Sequence, residues 1–132
     1  PASILLSQDA SMQRRMDAGF RQACSPETVL INYAVYRAKV VATENGLAFA
    51  EEIPGMWDLE RYLSLLLGEI PRLTDDANGY GPRGKGFIAH VEIPREVRKA
   101  YEGLCAQYGD LVRPANEAYS SENAEKRMNS IL

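Results

Sequence analysis

Residues 25–46 read SPETVLINYAVYRAKVVATENG, and the fold turns on whether this stretch is one helix or extended chain. Ser25 as an N-cap, Pro26 at the first helical position and Glu27 in the first turn form a helix-start signature. Asn45-Gly46 supplies the matching stop. Between them Val29, Leu30, Ile31, Tyr33, Val35, Tyr36, Val40 and Val41 are apolar on nearly every side, the pattern of a central, buried helix. The rival reading is a strand or hairpin, because the stretch is rich in Val, Ile and Tyr. Signals at both ends favour the helix.

Working outward, Ile4-Leu5-Leu6 reads as a strap against the body. A helix is expected from Asp9 to Ala23, with Met12, Met16, Phe20 and Ala23 in register and Ser7 or Asp9 as its cap. Ile53-Pro54-Gly55 is a turn before the clearest amphipathic helix, Asp58 to Ile70. Thr74 to Gly86 is a loop holding four of the ten glycines. Phe87 to Ile93 alternates like a short strand, and Pro94 opens another helix through Val97, Tyr101, Leu104 and Tyr108. Residues 115–132 read as a last helix. The expectation is a mainly α fold, a compact bundle of four to five helices with one short extended segment, and Leu63, Leu66, Tyr101 and Leu104 in its core. The alternative is a small α+β fold in which residues 29–41 are extended.

The 132 residues carry 15 Lys+Arg against 18 Asp+Glu, a net charge of -3, with 45% hydrophobic and 25% charged residues. This is the composition of one globular domain spanning 1–132 and excludes collagen-like, disordered and disulfide-scaffold classes. No apolar run reaches the roughly 18 residues of a membrane span, and Pro1 to Ser7 lacks the basic region of a signal peptide. Cys24 and Cys105 stand apart, which points to a reducing, cytoplasmic setting. With His90 the only histidine, a zinc site is not expected, and no cofactor is either. Charge is segregated: five acids and no base between Val40 and Glu60, five bases and two acids between Arg83 and Lys99. Solvated faces are the simple account of such runs; poles that steer a partner are the other.

Gly79-Tyr80-Gly81-Pro82-Arg83-Gly84 spells GxGxxG but has no strand before it and no helix after it, so a dinucleotide site is not expected there. A flexible surface loop is the default, with Arg83 and Lys85 beside bare glycine amides as an anion site in reserve. His90-Val91-Glu92 matches the HxE of zinc deaminases, but the downstream Pro-Cys-x-x-Cys is missing. A Cys–His nucleophilic pair has no orienting signature, and the adjacent acids Glu51-Glu52 and Asp75-Asp76 point apart on any regular element. His90 is expected on the short strand, partly buried and hydrogen-bonded.

Catalytic chemistry is therefore thin, and the reading leans away from an enzyme. A small binding module is expected, acting on a protein partner or by self-association, without a membrane role. The candidate contact residues are Tyr80, Arg83 and Lys85 in the glycine loop, Trp57 after its Pro-Gly turn, and Arg95. Two alternatives come from other classes. One is nucleic-acid association through Arg83, Lys85, Arg95, Arg98 and Lys99. The other is a small α+β enzyme on a phosphate-bearing substrate, using the Arg37 neighbourhood or the glycine loop.

Overall fold

Segment 25–46 is extended. In the computed structural model, which describes residues 2–111, Val29–Ala34 form a strand, β2, paired in parallel with β1, Ser3–Gln8. The helix α1, Ala10–Ala23, connects them, so the chain opens with a β-α-β unit. The supposed helix start is a turn instead: the Ser25 carbonyl accepts from the Thr28 amide at 3.0 Å, and its hydroxyl from the Glu27 amide at 3.3 Å. The supposed stop is a hairpin. β3, Val40–Thr43, pairs antiparallel with β4, Gly46–Phe49, in the register Thr43↔Gly46. Gly46 has φ +117°, which an L side chain rarely adopts, so Asn45-Gly46 closes a hairpin rather than a helix. The strap Ile4-Leu5-Leu6 is the strand that the segment needed as a partner.

Three helices and two two-stranded sheets make up the described residues, about 42% helix and 18% strand. This α+β arrangement replaces the expected bundle of four to five helices. The expected helix at 115–132 lies outside the described residues. Phe87 to Ile93 is extended but joins no sheet, since its first amides turn elsewhere: Phe87 and Ile88 donate to the Tyr80 carbonyl and Ala89 to that of Ala18. Its alternation is also displaced, with Ile88 buried and Phe87 exposed.

The core gathers around α2, Leu59–Leu73, whose N-cap Asp58 accepts from the Arg61 amide at 2.8 Å. Tyr62, Leu63, Leu67 and Leu73 are buried from this helix, while Leu66 is only half-buried. α2 packs on α1, on β4 and on α3, Arg95–Tyr108, and the Phe49 ring meets Tyr62 edge-on at 5.4 Å. Ala18, Leu73 and Ile88 form a second cluster under Tyr80, Val91 and Ile93. α3 buries no residue: among the described elements it touches only α2 and the short 3-10 turn Gly109–Leu111. Tyr101 and Leu104 are consequently half-buried rather than core.

Candidate functional site

α1 covers one face of the β1–β2 sheet and is held there by both packing and polar bonds. Leu6 is buried beneath it. The Gln13 amide donates to the Leu6 carbonyl at 3.1 Å and to the Asn32 side chain at 2.8 Å. Asn32 donates to Asp17 at 2.8 Å, and Asp17 also accepts from Arg21 Nε at 2.8 Å. Burial alone would push the Asp17 carboxyl up, but the bonds from Arg21 and Asn32 outweigh it and hold it below its usual range. This seam fixes which face of the sheet looks inward.

Among the described residues nothing covers the other face. Ser3, Leu5 and Ser7 stand level with Val29, Ile31 and Tyr33 in the parallel register, so the six share one side of the sheet. Leu5, Val29, Ile31 and Tyr33, with Val35 just beyond β2, are between 50% and 65% exposed. Parallel strands are ordinarily covered on both faces and therefore read as continuous apolar runs. Here both faces are apolar at four of six positions, and one of them has no cover among the described residues. The sequence reading missed this surface because it had spent the same residues on a helix interior; the available signal was the alternation Val29, Ile31, Tyr33, Val35.

The glycine loop is not a loose surface loop. It folds into a knot whose amides are consumed internally. Asp76 Oδ1 accepts from the Asn78 and Gly79 amides, and Asp75 Oδ1 from the Arg83 amide at 2.8 Å. Gly84, Lys85 and Gly86 donate to the carbonyls of Gly81, Gly79 and Gly81. A Cβ on Gly79 would lie 1.7 Å from the Thr74 carbonyl oxygen, so glycine there is a packing requirement. The bare amides imagined for an anion are thus already taken at these positions.

Of the expected contact residues, the knot holds three. Tyr80 is half-buried, its ring edge-on to Phe87 at 5.4 Å with Lys85 Nζ 5.9 Å from its centroid. Arg83 engages Asp75 through its backbone and leaves its side chain exposed. Trp57 is half-buried before α2 under the Arg61 guanidinium, 5.9 Å from the ring, and Arg95 is the exposed first residue of α3. Neither takes part in the Tyr80 stack. Arg98 and Lys99 share the exposed first turns of α3 with Arg95.

His90 is exposed, not partly buried on a strand, and lies between two carboxylates: Nδ1 is 2.7 Å from Asp75 Oδ2 and Nε2 is 3.2 Å from Glu92 Oε2. These bonds, Asp75 first, raise its pKa above the usual 6.5. The Arg83 amide and then His90 hold Asp75 below its ordinary range. With both ring nitrogens bonded to carboxylates, neither is left to activate a hydroxyl or thiol. Among the described residues no group of three His, Cys, Asp or Glu side chains is placed to hold a metal, and no helix is long and apolar enough to cross a membrane. No model of a known protein family matches the chain.

Proposed function

We propose that this chain is a cytoplasmic binding module that self-associates through the bare face of its β1–β2 sheet. One observation carries the reading: four large apolar side chains on a parallel sheet, Leu5, Val29, Ile31 and Tyr33, and Val35 just beyond it stay at least half exposed. Together they present on the order of 500 Å², toward the upper end of the largest apolar patch that a single chain leaves open, and such patches are often functional. Two copies face to face would bury about 1,000 Å², the lower limit for a specific interface.

The remaining positions of that face are Ser3 and Ser7, so it carries no charge. A second copy can therefore meet it across a two-fold axis without like charges in opposition. Two sheets stacked about 10 Å apart, each backed by its own α1, would give both sheets the second cover that parallel strands ordinarily have. The cytoplasmic setting is supported by the two free thiols, Cys24 and Cys105.

Sedimentation equilibrium from about 1 µM to 1 mM, the range where interfaces of this size dissociate, tests the proposal. A reversible monomer–dimer equilibrium is expected. The double variant Ile31→Thr with Tyr33→Thr keeps β-propensity and should stay monomeric with an unchanged circular dichroism spectrum. A wild-type monomer throughout the range, or a variant that dimerises as the wild type does, contradicts self-association and leaves the face to a different protein.

A further inference from the structure

An open pocket of about 460 Å³ lies between α1 and the glycine knot, away from the bare sheet face. Met12, Met16 and Gly19 line it from α1, and Tyr80 and Phe87 from the knot. Methionine side chains adapt to the shape of a flat apolar body, and an edge-on aromatic pair offers a wall for one. Phe87, a large aromatic at the pocket, is 48% exposed.

Among the described residues Arg15 is the one charged member of the lining. Its Nε donates to both oxygens of the buried Glu69, at 2.8 and 3.1 Å. Its two terminal nitrogens have no acceptor among the described residues. Glu69 is shared with Arg72, whose Nη1 stands 3.9 Å away, so one carboxylate faces two guanidinium groups and the balance beside the pocket is positive. Lys85 adds a further cation on the Tyr80 ring. Planar guanidinium donors in a fork match a carboxylate.

Gly19 adds an independent observation. Glycine inside a helix costs about 1 kcal/mol relative to alanine. A Cβ at Gly19 would meet only Ile88 Cγ2, at an ordinary 3.9 Å, so the packing of the described residues does not require glycine there. What its missing side chain leaves is space in the pocket.

We propose that this pocket binds a small flat aromatic carboxylate, the ring lying against Met12, Met16 and the Tyr80–Phe87 pair and the carboxylate on the free donors of Arg15. Drug-sized ligands occupy sites of this volume, apolar with few convergent polar groups.

The probe is 2-naphthoate, titrated into the full chain and followed by the methyl resonances of Met12 and Met16. Saturable shifts at those methyls are expected, with the uncharged 2-naphthylmethanol binding at least about tenfold more weakly. Gly19→Leu fills the pocket from a helix-favouring residue and should weaken 2-naphthoate at least about tenfold while raising the melting temperature or leaving it unchanged. Arg15→Lys keeps the cation that Glu69 needs but removes the fork, and should abolish the preference for the acid over the alcohol. No saturable shift with the wild type, an equal affinity of acid and alcohol, or a well-folded Gly19→Leu that binds as the wild type does overturns the proposal.

Discussion

At the scale of single residues, charge and close approach decide more than hydrophobicity does. His90 has its pKa raised by Asp75 and Glu92, so its pairing stabilises the fold fully below the unfolded value of about 6.5 and loses that effect as pH rises through the higher folded value. Asp17 and Asp75 run the other way: held low in the fold, they stabilise above about pH 3.9, and the effect is lost as pH falls through their depressed values. Stability should therefore peak between these limits, measurable as the urea midpoint across pH. In an NMR titration, Asp75→Asn should move the His90 midpoint down; an unmoved midpoint would contradict the Asp75–His90 bond. Gly79→Ala should destabilise by about 2 kcal/mol or more in the same urea assay, because its Cβ would have to displace the Thr74 carbonyl. These features were hidden in the sequence. GxGxxG looks alike whether its amides face a phosphate or their own carboxylates, and the 15-position separation of Asp75 and His90 erases any spacing signal.

At the scale of elements, the three helices were legible because each shows a local signal that tertiary structure leaves intact. α1 starts after Asp9, whose carboxylate accepts from the Ser11 amide, and α2 starts after Asp58, as the cap residues indicate. α3 follows Pro94, but its periodic stripe was mistaken for a core stripe. Period shows that a face is apolar, not that anything covers it. The consequence is measurable: Leu67→Ala, from a fully buried position, should cost about 2–5 kcal/mol in urea, while Leu104→Ala on α3 should cost about 1 kcal/mol or less. Equal losses would contradict the shallow seating of α3. The sheets were not legible because strand pairing is non-local. β2 has its partner some 26 positions earlier, Ser3 against Val29, and a run apolar on both faces is common to parallel strands and buried helices.

At the scale of the whole molecule, the bare sheet face is the largest departure from what a single chain needs for itself. α1 and its Gln13–Asn32–Asp17–Arg21 seam cover one side, and the apolar residues of the other side wait for a second layer. Asp17→Ala would remove the carboxylate that Asn32 and Arg21 share and should cost about 1 kcal/mol. Wild type and variant alike should gain stability at high protein concentration, where the dimer stabilises the fold by mass action. The most direct test reads the face itself. Hydroxyl-radical footprinting over a rising concentration series reports the oxidation of Tyr33, 58% exposed in one copy, against Phe87, 48% exposed and not part of that sheet face. Tyr33, Ile31 and Leu5 should become protected together as concentration increases while Phe87 keeps its rate; a Tyr33 rate that holds constant relative to Phe87 from micromolar to millimolar chain would contradict self-association through this face.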